Sequence, residues 1–120
     1  MTYVDGFVVP VRKNKLARYR SMAKKSAKVW REYGALEFHE CVADDVPYGK
    51  RTSFPRSVKL KRGETVVFSW IVYRSRAHRD RVMAKVMQDK RIAAMMSNTK
   101  YVPFDGKRML VGGFKTMVSL

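Results

Sequence analysis

The chain has 120 residues, 46% of them hydrophobic and 30% charged, which fits one globular domain (residues 1–120) with its own core and shows no linker-like stretch. Its single cysteine, Cys41, excludes an intrachain disulfide framework and a cysteine-rich zinc site, and fits a reducing cytoplasm. The 26 Lys and Arg against 10 Asp and Glu give a net charge of +16, which attracts polyanions through its long-range field without by itself proving a site for them.

Residues 3–11 are rich in β-branched and aromatic types and predict a first strand, with Pro10 placed where no N–H is needed. Nothing before them has the charged-then-apolar order of a secretory leader. The longest apolar stretch, 65–73, is too short to span a membrane as a helix, so a soluble cytoplasmic protein is expected. From Asn14, a candidate N-cap, Leu16, Tyr19, Ala23, Ala27 and Trp30 recur at the helical period, and Gly34 follows in the C′ position. The opposite face of this helix carries Lys13, Arg18, Arg20, Lys24, Lys25, Lys28 and Arg31.

Residues 35–43 predict a second strand with Leu36, Phe38, Glu40 and Val42 on one face and Glu37, His39 and Cys41 on the other. Pro47, Gly49, Pro55 and Gly63 make 44–64 mostly loop, with 57–61 as a short edge-strand candidate. The strongest strand is 65–73: Val66, Phe68, Trp70 and Val72 face one way, Val67, Ser69 and Ile71 the other, and both sets call for burial. Ser75 suits the N-cap of a helix reaching about residue 88, with Val82, Met83, Val86 and Met87 inward, and a shorter helical piece is expected over 91–96. After Pro103 and an Asp105-Gly106 turn, residues 109–118 form the last strand, where Gly112-Gly113 marks a bulge or a close backbone approach.

The order β-α-β-β-α-β defines an α+β, ferredoxin-like fold: an antiparallel sheet with two helices on one face. The other face then lacks a cover, and a second copy of the chain is the simplest one, giving a homodimer. The partner is expected on the face of Val67 and Ile71, the positions at which an added charge would test the interface.

Particular segments carry a resemblance. Residues 3–9 (Tyr-Val-Asp-Gly-Phe-Val-Val), Tyr33-Gly34-Ala35-Leu36, Glu40-Cys41, Asp44-Asp45-Val46-Pro47, the run Val66 to Trp70, Pro103 to Met109 and Gly112-Gly113-Phe114 together resemble the bacterial YbaA-like family, a domain of unknown function. The match runs in order through nearly the whole chain and implies a dimeric α+β barrel. It carries over no catalytic residue. Relative to typical members, this chain is basic in its first helix and in the loop after strand two, and Val42 stands where a tryptophan is usual.

Several residue sets are candidates for chemistry. Trp70, Phe68, Phe7 and Tyr3 could line a pocket between sheet and helices, with Arg79 and Asp105 bringing charge to its mouth. The candidate pocket set is Tyr3, His39, Glu40, Trp70, Arg79 and Asp105. Glu37, Glu40, Asp44 and Asp45 cluster enough for one carboxylate to act as an acid or base, although Asp44-Asp45-Val46-Pro47 reads first as a turn. Glu37, His39 and Cys41 share a strand face but lack a second ligand pair, so no metal is expected, and no cofactor motif occurs.

For nucleic acid, Arg18, Lys24, Lys25, Lys28 and Arg31 could track phosphates. Lys50, Arg51 and the rest of the loop at 48–62 would help, with Tyr48 and Phe54 stacking on bases. The primary expectation is a homodimer that binds a small organic molecule or acts as a cofactor-independent enzyme. Sequence-nonspecific RNA or DNA binding is the alternative, and charge that serves only solubility beside a protein partner is the third reading.

Overall fold

The structure, a computed structural model, describes residues 1–97 and 102–120. Its strands are β1 (Tyr3–Arg12), β2 (Glu37–Val42), β3 (Glu64–Tyr73) and β4 (Leu110–Lys115), in one antiparallel sheet of order β2-β3-β1-β4. The two central strands pair over their full length, from Tyr3 opposite Tyr73 to Arg12 opposite Glu64. The helices are α1 (Leu16–Glu32), α2 (Phe54–Ser57), α3 (Arg76–Gln88) and α4 (Lys90–Ser97). This is the α+β, ferredoxin-like arrangement that the element order implies.

The side-chain alternation of the strands divides the sheet into two unlike faces. Tyr3, Val9 and Val11 of β1, with Val67, Ile71 and Tyr73 of β3, are buried under Tyr19, Ala23 and Val29 of α1, Val82 and Val86 of α3 and Ile92 of α4. Val67 and Ile71, expected at a dimer interface, therefore belong to the helix-covered core. The open face carries Phe68 and Trp70 instead, beside Val8, His39, Leu110 and Phe114 on the neighbouring strands. For the same reason Phe68 and Trp70 cannot line a helix-side pocket with Tyr3 and Phe7: an odd and an even position of one strand point to opposite sides.

Three local expectations change. Asn14 does not cap α1. The chain leaves β1 through a 3₁₀ turn at Lys13–Lys15, pinned where the Lys13 N–H donates to the Gly63 carbonyl at 2.9 Å, so Asn14 lies inside that turn and Lys15 holds the cap position. Residues 57–61 form no strand, because Ser53 caps the one-turn α2, its hydroxyl accepting from the Arg56 N–H, and Pro55 and Val58 are buried. β4 ends at Lys115 and pairs with β1 without a bulge. Its glycines serve a close approach, the Tyr3 ring lying so near Gly113 that an added Cβ would come within 2.8 Å of ring carbons. Ser75, by contrast, caps α3 as expected, its hydroxyl accepting from the His78 N–H at 3.1 Å. Met87, expected inward, is 54% exposed.

Among the described residues no helix is long and apolar enough to cross a membrane.

Candidate ligand cavity between helices and sheet

Phe38, Glu40 and Val42 alternate along the edge strand β2 toward α1, so β2 presents a carboxylate within an otherwise apolar row. Opposite it, Tyr19 of α1 is 6% exposed and donates its hydroxyl to Glu40 Oε2 at 2.8 Å. Two hollows meet at this pair. An outer cleft of about 660 Å³ runs between α1 and β2, bounded by Leu16, Arg20, Lys24 and Val42. An inner cavity of about 270 Å³ lies beneath the helices, bounded by Phe7, Trp30, Ile71, Met83, Met95 and Phe104. Tyr19, Ala23, Phe38 and Glu40 line both, so the carboxylate and the phenol stand at the junction of the two hollows, the second of them open to solvent past Met87 and Met96 and the more apolar.

The electrostatics follow from that position. Glu40 is exposed as a residue of the edge strand, and its carboxylate reaches across to the Tyr19 hydroxyl. Lost hydration raises its pKa above the usual carboxylate value, against the opposing hydrogen bonds from Tyr19 and Ser69. The Tyr19 hydroxyl is pushed up as well, first by burial and then by the adjacent carboxylate, and it stays a donor. A carboxylate with weakened hydration, one hydroxyl fixing its orientation and an apolar chamber behind it is equipped to accept a proton or a hydrogen bond from a bound molecule. Methionines on several elements, Met22, Met83, Met95 and Met109 among them, give that chamber adaptable walls.

The structure does not gather the expected pocket residues into one place. Glu40 alone of the six lines the cavity. Tyr3 lies at the far end of the helix-side face with Arg79 over its ring, 5.0 Å from the centroid, and Arg79 bonds the buried Asp5 at 2.7 Å as well as Asp80. Burial raises the Asp5 pKa, and the Arg79 charge opposes that shift. His39 stacks on Trp70 on the open face, ring centroids 4.7 Å apart, with a nitrogen 3.0 Å from Glu37. Asp105 closes the turn before β4, bonded to Arg108, which also grips Glu64 through two nitrogens.

The candidate cations for nucleic acid are divided too. Lys24, Lys25 and Lys28 are exposed on α1, and Arg31 of that helix is engaged by the Ala35 and Leu36 carbonyls. Lys50 and Arg51 belong to the loop whose Phe54 packs edge-on against Phe68 of the opposite face. The sequence marks Tyr19 only as a core position of α1. The signal available was its partner: a glutamate in an apolar strand row needs a polar group across from it.

Residues 2–106 match the family described as "Protein of unknown function (DUF1428)". The chain is 49% identical over 118 residues, 98% of each chain, to "Uncharacterized protein YbaA" of Escherichia coli (strain K12) and, to the same extent, to that of Shigella flexneri. Among solved structures it is similar to an uncharacterized NIPSNAP domain protein from Burkholderia xenovorans, with TM-score 0.61 and 14% identity, covering 95% of this chain and 93% of that one. It is also similar to a dimeric ferredoxin-like protein from an uncultured marine organism, with TM-score 0.62 and 11% identity over 100% of both. At such identities the likeness is one of fold. The family match and the near-complete alignment to YbaA are likenesses of sequence, and on them the chain belongs to the DUF1428 family.

Proposed function

We propose that this protein binds a small, largely apolar organic molecule in the cavity beneath α1, with Glu40 as the group that takes a hydrogen bond or a proton from it. The observation that carries the reading is the junction itself: a single carboxylate, oriented by Tyr19, where an open cleft meets an apolar chamber. An acid–base reaction there would need no cofactor, since Glu40, with its raised pKa, can hold the proton that the ligand gives up. A panel of phenols, aromatic acids and aliphatic alcohols, screened by thermal shift, tests the reading. A ligand present at about a hundred times its Kd stabilises by about 2.7 kcal/mol. The Ala23→Leu variant, which fills the junction, should lose that stabilisation. If no compound in the panel raises Tm, or if Ala23→Leu responds like the wild type, the reading fails.

We infer further that two copies associate through the open sheet face. Phe68 is 43% and Phe114 64% exposed there, next to Trp70 and Leu110, and a row of this kind on both copies is self-complementary about a two-fold axis. That one fold neighbour is described as dimeric agrees with this. Nucleic-acid binding along α1 is the competing reading. It draws on exposed Lys24, Lys25 and Lys28 and lacks the help of the loop cations, which belong to a segment packed on the other face.

A further inference from the structure

At the end of the sheet remote from Tyr3, the 3₁₀ turn after β1 meets the turn before β3, and two clefts open between them. One, of about 410 Å³, is bounded by Arg12, Lys13, Asn14, Lys61 and Arg62; the other, of about 310 Å³, by Arg12, Lys15, Lys61 and Arg108. Arg12, Lys61 and Glu64 border both, so the two clefts adjoin and are taken together as one recess. Its frame is fixed by the Lys13 to Gly63 backbone bond and by Arg108, which donates to Glu64, to Asp105 and to the carbonyls of Val58 and Lys59. Arg108 thus engages both carboxylates of the recess. Six cations against two carboxylates leave four positive charges, and among the described residues none of Arg12, Lys13, Lys15, Lys61 or Arg62 comes within ion-pair distance of a carboxylate.

We propose that this recess is a binding site for a compact phosphate-bearing anion carrying two or more negative charges. Lys61 is partly balanced by Glu64 and Asp105, but among the described residues Arg12, Lys13, Lys15 and Arg62 have no carboxylate at ion-pair distance, and a multivalent anion would supply the counter-charge. Two arginines offer the paired N–H geometry that suits phosphate oxygens, and the lysines add point charge. A recess at one end of the molecule also differs from the row of lysines on α1, which runs along a helix and would suit an extended polyanion. The site shares no cation with the Glu40 cavity and does not rest on the reading given to it.

The test is a calorimetric titration with inorganic pyrophosphate at about 50 and about 200 mM salt. It compares the wild type, the triple variant Arg12→Gln/Lys13→Gln/Arg62→Gln, and a control of equal charge loss, Lys24→Gln/Lys25→Gln/Lys28→Gln. We expect saturable one-site binding that the recess variant weakens about tenfold or more and the α1 control by less than about twofold. Equal weakening by both variants would show a diffuse field effect and overturn the proposal. So would the absence of saturable binding at the lower salt. Circular dichroism of the recess variant checks the fold, which should be kept because Arg12, Lys13 and Arg62 are exposed and, among the described residues, make no ion pair.

Discussion

Glu40 and Asp5 are two carboxylates that the same sheet face treats differently. Desolvation raises the pKa of both, but Asp5 is buried and leans on a cation, Arg79, whereas Glu40 is an exposed residue whose carboxylate rests against a neutral hydroxyl, Tyr19. The sign for Glu40 follows directly: with its folded pKa above the unfolded one, its contribution to stability is complete below the ordinary carboxylate pKa and is lost as pH rises through the raised value. Glu40→Gln, which cannot ionise, should therefore be more stable than the wild type at about pH 7 and lose that advantage at about pH 3. Urea midpoints at the two pH values measure it, and an advantage independent of pH would contradict the assignment. Arg79→Ala should cost about 3 kcal/mol at neutral pH by stranding the Asp5 carboxylate, and less in mild acid, where Asp5 can take up a proton.

At the scale of elements, period-two alternation carries most of the architecture, and much of it is legible in the sequence. The alternation of β3, the Ser75 cap and the Gly34 terminus of α1 all follow from residue type and spacing. What alternation leaves open is which side the helices take. Both faces of β3 are apolar, so Val67 and Ile71 could be read as outward when they are core, and Trp70 as a pocket wall when it is open. The junction of cleft and cavity was half legible: Glu40 stood out on the apolar face of β2, but Tyr19 at a core position of a helix looks like any packed aromatic until the two elements are brought together. The 3₁₀ turn at Lys13–Lys15 was not legible, because a bond to Gly63, some 50 positions away, sets it. Gly113→Ala would press a methyl into the Tyr3 ring and should destabilise by about 1–3 kcal/mol, whereas Gly112→Ala meets only Phe114 at 3.4 Å or more and should cost less. Chemical denaturation of the two variants separates them.

For the whole molecule, the sheet is a partition: α1, α3, α4, core and cavity on one side, and on the other an aromatic face that α2 covers only in part, at Phe68. On the proposed pairing of two copies through this face, Phe68→Glu should give a single 13.9 kDa chain in sedimentation, because it would set a charge against its own copy across the two-fold axis. Lys24→Glu, on the helix side, should leave the proposed dimer unchanged. The proposed ligand cavity lies on the helix side of this partition, away from Trp70. The most direct measurement is therefore a titration with p-cresol, an apolar ring with one hydroxyl donor, followed by NMR of ¹³C-labelled methionine methyl groups alongside the indole N–H signal of Trp70, which is resolved from that of the cavity residue Trp30. The account predicts saturable shifts at Met22, Met83 and Met95, which line the inner cavity, weakened in Glu40→Gln, with little change at Trp70. Unshifted cavity methyls, or a response confined to Trp70 and the open face, would contradict it.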